Sequence, residues 1–94
     1  MRYIAMMELR SGSVRGNHYH EKKCELVYII SGSVELLVED PSTRDRNVIT
    51  LQPGDLATIN PGTAHALKVL STGCGVEFSP QAFDASDSFS YSLA

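Results

Sequence analysis

Short apolar runs, separated by turn-forming residues, dominate the hydrophobic pattern of the chain. Runs rich in Val, Ile, Leu and Thr alternate with clusters of Gly, Pro, Asp and Ser at close intervals, and no segment shows the 3.6-residue period of a helix. The pattern predicts strands over residues 1–9, 14–20, 25–30, 34–39, 47–51, 56–59, 65–70 and 75–78. We therefore expect an all-β fold, either an antiparallel sandwich or a barrel.

Length and composition narrow the range of functions. A chain of 94 residues is expected to form one domain, with a core over roughly residues 1–79 and residues 80–94 as an extended segment or tail. The net charge of −3 argues against general nucleic-acid binding, and no apolar run is long enough to span a membrane. We see no signal peptide, and we expect Cys24 and Cys74 to be free thiols in the reducing cytoplasm.

All three histidines of the chain fall in two segments, His18 and His20 in the first and His65 in the second. Two histidines at positions i and i+2 of a strand point to the same face, and Glu25 can face them from the returning strand of a hairpin. Three imidazoles and one carboxylate that converge in an apolar barrel form a divalent-metal site, suited to Zn, Fe, Mn, Ni or Cu. The alternative is three core or surface histidines without a metal.

These two segments resemble the motifs of the cupin superfamily. Residues 12–32 match the first motif, G-x5-H-x-H-x3,4-E-x6-G, at every fixed position. Gly54, Gly62 and His65 match the second motif, G-x5-P-x-G-x2-H-x3-N, whereas Asn60 and Val69 stand where that motif has proline and asparagine. The resemblance implies the cupin fold, an antiparallel jelly-roll β-barrel. It also implies that the three histidines and Glu25 are the metal ligands.

Residues 13–20 resemble the sugar-modifying, RmlC-like branch of the superfamily. That branch includes dehydrorhamnose 3,5-epimerases, sugar 3,4-ketoisomerases and the cupin domain of capsular-polysaccharide reductases. The resemblance implies catalytic roles: Arg15 holds a phosphate or ketone oxygen, and His18 or His20 moves a proton at the sugar carbon. Glu25 and His65 favour the metal-bearing members, because the metal-free ketoisomerases lack the complete ligand set. For Arg15, a solvated charge at the end of a strand is the alternative.

Three hypotheses for function remain open at this point. The first is an isomerase or epimerase that acts on a small polar carbonyl compound, such as a sugar or nucleotide-sugar, by metal-assisted proton transfer. The second is an iron-dependent dioxygenase. The third is a non-catalytic module that senses a ligand or a metal. The fold does not separate these hypotheses, because cupins host many functions.

The strand that begins at Glu25 lacks a polar face. If Glu25 faces the interior, Val27 and Ile29 face it too. The alternate positions then face outward, and all three are apolar: Leu26, Tyr28 and Ile30. An apolar outer face needs a cover, and a second copy of the protein is the simplest one, which predicts a homodimer.

The C-terminal residues offer another cover for this face, with Phe83, Phe89 and Tyr91 folded back over it. Elsewhere the sequence predicts that Tyr19 points away from the metal and packs, and that Asn17 serves a turn. The acidic stretch over residues 84–87 is expected to be solvated.

Overall fold

The computed structural model describes residues 2–82 and 84–94, and this part of the chain is built almost entirely of β-strands. The elements are β1 (Tyr3–Leu9), β2 (Val14–Tyr19), β3 (Glu25–Glu39), β4 (Arg46–Leu51), β5 (Leu56–Ile59), β6 (Ala64–Ser79), a short 3₁₀-helix (Ala85–Asp87) and β7 (Phe89–Ser90). All strand pairs are antiparallel, which confirms the predicted fold class. Within these residues, no helix is long and apolar enough to cross a membrane.

Two long strands, β3 and β6, take part in both layers of the fold. The second half of β3 and the first half of β6 lie in a layer with the strand order β4-β3-β6-β2-β7. Their other halves pair with β5 and β1, which gives the order β1-β6-β3-β5. The register of the β3–β6 pair shifts between Ile29 and Val34, where the strands pass from one layer to the other.

The sequence predicts separate strands over residues 25–30 and 34–39, and over 65–70 and 75–78. Both breaks are wrong, because β3 and β6 continue through them. Glycine serves a different purpose there. A Cβ on Gly73 would lie 2.1 Å from the carbonyl oxygen of Ser31, so the two strands can pass this closely only without a side chain. Gly32 has φ +79°, which allows the bend in β3.

Apolar side chains from both layers form the core. The main buried cluster includes Met7, Leu9, Val27, Ile29, Val34 and Leu36. The predicted alternation along the first half of β3 is confirmed, since Glu25, Val27 and Ile29 are buried whereas Tyr28 and Ile30 are 39% and 44% exposed. The interior face of this strand therefore carries the carboxylate of Glu25 into the space between the layers.

The C-terminal residues run back along β2. Strand β7 pairs with β2, and Phe89 stacks on Tyr19 with ring centroids 5.1 Å apart. Leu93 is buried against Ala64 and Ala66, with Tyr19 and Tyr91 packed beside them. Phe89 and Tyr91 thus do not cover the outer face of β3, and Phe83 lies outside the described residues. The prediction that Tyr19 packs is confirmed.

Candidate metal centre

The four residues predicted as ligands meet in the space between the two layers. His18 lies near the end of β2, His20 directly follows it, Glu25 begins β3 and His65 is the second residue of β6. One ligand atom from each of the four lies within 4.8 Å of the others. The structure therefore brings together all four side chains that the sequence singled out.

A bulge in β2 aligns the first histidine with the third. Gly16 pairs with Ala66 and His18 pairs with His65, so Asn17 is an extra residue in the strand. Gly16 and Asn17 adopt φ +93° and +58°, values that suit glycine and asparagine. A Cβ on Gly16 would lie 2.9 Å from the carbonyl oxygen of His65. Because of this bulge, the rings of His18 and His65 face each other, 4.6 Å apart.

The electrostatic environment of the site favours the binding of a cation. Burial and the neighbouring His65 and His20 rings lower the pKa of His18 to about 4, so this imidazole is neutral at pH 7 and can act as a ligand. Burial opposes the ionisation of Glu25, but the adjacent His65 imidazole and Glu77 carboxyl hold its pKa at about 2. The site thus presents a neutral imidazole and a buried carboxylate at neutral pH.

The carboxylate of Glu25 has an oxygen that lacks a satisfying partner. Oε2 lies 3.0 Å from His65 Nε2 and 4.0 Å from His20 Nε2. It is nevertheless a buried atom without a hydrogen bond of acceptable geometry among the described residues. An unsatisfied buried carboxylate oxygen is costly, and a bound cation would remove that cost.

A divalent ion fits this donor set. Two ligands on opposite sides of an ion, each at about 2.1 Å, would be about 4.2 Å apart. The four ligand atoms lie within 4.8 Å of one another, which is close to that distance. Small side-chain movements would therefore bring all four within bonding distance of one ion. The residues present are therefore compatible with the metal that the sequence predicts.

Backbone carbonyls orient two of the imidazoles. His20 Nδ1 is hydrogen-bonded to the carbonyl oxygen of Asp87, and His65 Nδ1 lies 3.4 Å from that of Thr63. A carbonyl can only accept, so Nδ1 carries a proton, and in the neutral ring Nε2 then has the lone pair that a metal needs. In both rings it is this Nε2 that lies near Glu25. Such outer contacts are typical of histidines that bind metals.

Asp87 also fixes the loop between the second histidine and Glu25. Its carboxylate accepts hydrogen bonds from the backbone N–H groups of Glu21, Lys22 and Lys23, at distances from 2.9 to 3.3 Å. These three bonds lower the pKa of Asp87 even though burial opposes its ionisation. The prediction that residues 84–87 are solvated is wrong for Asp87, which is only 8% exposed. Sequence analysis missed this residue because its partners are more than sixty positions away.

Asn17 anchors the end of the chain. Its side-chain oxygen accepts from the backbone N–H groups of Leu93 and Ala94, both at 2.9 Å, and its amide nitrogen donates to Ala94 O. Its own carbonyl accepts from Tyr91 N at 2.8 Å. The prediction that Asn17 serves a turn is wrong: it lies in the bulge of β2, where it holds the C-terminal segment along that strand.

The four ligands lie in a pocket of about 570 Å³. Arg15 also lines this pocket, as the sequence suggested, and it is exposed. Three further side chains that the ligand prediction did not include reach the same space: Tyr3, Lys23 and Glu77. Residues of the C-terminal segment, among them Asp84 and Asp87, contribute to the wall. The C-terminal segment therefore encloses part of the site.

Glu77 is the second carboxyl group in the pocket. Burial and the neighbouring Glu25 together raise its pKa to about 7, because two carboxylates so close together do not both ionise readily. Tyr3 Oη donates a hydrogen bond to Glu77 Oε1 at 3.3 Å. Glu77 pairs with Val27, so it shares the inward face of Glu25. Strand parity predicts that Glu77 faces inward only once the register of β6 across Gly75 is known.

Comparison with known proteins identifies the family. The family model described as "Cupin domain" matches residues 5–79. No curated protein sequence matches the chain. Among solved structures, the capsular polysaccharide assembling protein CapF from Staphylococcus aureus is similar with a TM-score of 0.88 and 17% identity, over 96% of this chain and 28% of that one. The chain thus spans little more than a quarter of that relative.

A ketoisomerase and an epimerase also have similar structures. A 3,4-ketoisomerase from Helicobacter canadensis has a TM-score of 0.83 at 17% identity, over 93% of this chain and 66% of that one. RmlC, a dTDP-6-deoxy-D-glucose-3,5-epimerase from Legionella pneumophila solved with dTDP-4-keto-L-rhamnose, has a TM-score of 0.78 at 21% identity, over 94% and 52%. At these identities the likeness shows the fold, and it confirms the predicted jelly-roll architecture.

Proposed function

Because the chain belongs to the cupin family, we propose that it binds one divalent metal ion through His18, His20, Glu25 and His65 and acts on a small carbonyl compound. The substrate class is a sugar or nucleotide-sugar, and the reaction is the transfer of a proton at the carbon beside the carbonyl. The observation that carries this proposal is the convergence of four ligand atoms, with the orphaned Glu25 Oε2 among them, on the pocket that Arg15 also lines.

The residues divide between holding the ion and moving the proton. When bound, a divalent ion polarises a carbonyl oxygen and so weakens the adjacent C–H bond. The resemblance to sugar epimerases assigns the proton to His18 or His20, but an imidazole that binds a metal has no free lone pair at that nitrogen. Glu77 lies in the same pocket outside the ligand set, with Tyr3 as its hydrogen-bond donor. We therefore assign proton transfer to Glu77.

Arg15 has the role of a substrate anchor. It is an exposed guanidinium on β2 that lines the pocket, and it is not one of the four ligands. A guanidinium matches a phosphate or ketone oxygen through its planar set of donors. We expect Arg15→Ala to weaken the binding of nucleotide-sugars by about tenfold to a hundredfold, with the metal content unchanged. Calorimetric titration with a panel of nucleotide-sugars measures this effect.

Proton exchange in heavy water tests the reaction. The metal-loaded protein is incubated in D₂O with 4-keto nucleotide-sugars, and loss of the proton signal beside the carbonyl is followed by NMR. We expect exchange with the wild type and none with Glu77→Gln, which should keep its metal. Glu8→Gln, at an exposed position on β1, is the control. If the wild type exchanges no substrate proton but consumes oxygen, the dioxygenase hypothesis replaces the isomerase proposal. If it does neither, the hypothesis of a sensing module replaces it.

We also propose that the protein is a homodimer. The outer face of the β1-β6-β3-β5 layer carries a continuous apolar patch, because the register places Tyr28 beside Leu56 and Val76, and Val76 beside Met6. Met6 and Leu56 are 69% and 55% exposed. A patch of this kind is typical of an interface, and a second copy matches it by two-fold symmetry.

Sedimentation at about tens of micromolar tests the dimer. Tyr28→Asp should weaken association without loss of metal, whereas Val48→Asp, at an exposed apolar position on β4, should not. A wild-type monomer at that concentration would refute this proposal.

Two further proposals concern location and domain extent. The free state of Cys24 and Cys74 supports a reducing, cytoplasmic location. The contacts of residues 84–94 with β2 support a single cupin domain over residues 1–94.

A further inference from the structure

Lys23 is a buried cation inside the metal pocket. Its side chain is only 10% exposed, although it belongs to the loop between β2 and β3. Its backbone N–H donates to Asp87 Oδ2 at 3.1 Å, and this bond holds the loop against the C-terminal segment. Its ammonium lies 4.5 Å from the centroid of the Tyr3 ring. A lysine is rarely buried to this extent without a partner for its charge.

The Lys23 ammonium has only a distant charged partner in the fold. Lys23 Nζ lies 3.9 Å from Glu25 Oε1, which is beyond hydrogen-bond distance, and no hydrogen bond of this ammonium occurs within the described ranges 2–82 and 84–94. Glu25 is also the carboxylate of the metal ligand set. A metal ion there would share the charge of Glu25 and leave less of it for Lys23.

The charges of the loaded pocket do not balance. With a divalent ion bound, three neutral imidazoles and the Glu25 carboxylate would face the ion and the Lys23 ammonium. Elsewhere in the lining, Arg15 and Lys22 add two positive charges and Asp84 adds one negative charge. Asp87 is engaged by three backbone N–H groups, and Glu77 shares its hydrogen bonds with Tyr3 and lies beside Glu25. An excess of positive charge in a partly enclosed pocket attracts an anion strongly.

From this arrangement we infer that Lys23 makes the pocket selective for an anionic ligand group, one that binds beside the ammonium and the metal. This inference rests on the metal binding proposed above. It goes further because it specifies that the ligand group beside the metal is negatively charged. A carboxylate, a phosphate oxygen or the oxyanion that develops from a ketone all carry that charge. A neutral metal-binding ligand would gain nothing from Lys23.

Azide and imidazole distinguish charge from metal affinity, because azide is an anion and imidazole is neutral. Both are titrated into the cobalt-loaded protein and followed through its visible absorption, after the cobalt content of each variant has been measured. We expect Lys23→Met to weaken azide binding by about tenfold to a hundredfold and to leave imidazole binding unchanged. Lys23→Arg, which keeps the charge, should retain most of the azide affinity.

Lys68→Met is the matched control. Lys68 Nζ also lies 3.9 Å from a glutamate, Glu35, but its side chain is 50% exposed and it does not line the pocket. This variant should bind azide as the wild type does. Equal azide affinity in Lys23→Met and wild type, both loaded with cobalt, would overturn the inference and leave the metal site intact. A wild type that takes up no cobalt would overturn the metal proposal, and this inference with it.

Discussion

Replacement of Glu25 by glutamine removes the negative charge of the metal site with little change in volume. The side chain is 6% exposed, and its carboxylate lies close to His65, His20 and Lys23. A neutral amide oxygen is a weaker ligand for a divalent ion. We therefore expect the folded variant to bind metal much more weakly than the wild type.

The size of the effect follows from the number of ligands. A four-ligand zinc site contributes about 10–16 kcal/mol of apparent binding free energy, or about 2.5–4 kcal/mol for each ligand. Loss of one ligand should therefore weaken binding by about 10²-fold to 10³-fold. At a metal concentration 1,000 times the wild-type Kd, the ion adds about 4.1 kcal/mol to the free energy of unfolding. In the variant the same concentration adds about 0.4–1.4 kcal/mol.

Thermal unfolding with and without metal measures this difference. For a domain of this size, about 1 kcal/mol corresponds to about 4–8 °C, so the metal should raise the Tm by about 16–33 °C in the wild type and about 2–11 °C in the variant. Glu21→Gln, at an exposed position in the neighbouring loop, is the control and should behave as the wild type does. If Glu25→Gln gained as much from metal as the wild type, Glu25 would not be a ligand.

Three further changes probe the surroundings of the site. Gly16→Ala should destabilise the protein by about 1–3 kcal/mol in urea unfolding, because φ is +93° and the new Cβ would meet His65 O at 2.9 Å. An unchanged midpoint would contradict the bulge. Asp87→Asn should lower both stability and metal affinity, whereas Asp84→Asn, at an exposed cap, should leave metal affinity unchanged. Equal metal affinity in both variants would show that Asp87 does not support metal binding. In the metal-free protein, Glu77 contributes stability at low pH that is lost as the pH rises from about 4.5 to about 7, because its folded pKa is raised to about 7. The stability of wild type relative to Glu77→Gln should fall over that range, and a constant difference would refute the shift.

The ligand set could be predicted from the sequence because its geometry is local. His18 and His20 share a face through the two-residue period of a strand, and Glu25 follows after one short loop. Even His65 could be placed, because the turn before it follows a recognisable motif. The inward alternation from Glu25 to Ile29 is confirmed for the same reason, since it depends only on strand parity.

The rest of the pocket depends on contacts between distant parts of the chain. Asp87 binds N–H groups more than sixty residues away, and it is this contact that holds the Lys23 loop against the C-terminal segment. Glu77 could not be oriented, because the register of β6 shifts against β3 where the strands change layers. Likewise, the strand breaks predicted around Gly32 and Gly73 are wrong, because the sequence does not show that two strands approach each other closely there.

The metal content of the purified protein tests the central claim most directly. Elemental analysis before and after reconstitution with Zn, Fe, Mn, Ni and Cu should find one ion per chain bound with at least one of these metals. His65→Ala, which removes a buried imidazole from the cluster, should lower that occupancy. If the folded wild type held no ion with any of the five metals, His18, His20, Glu25 and His65 would not form a metal site.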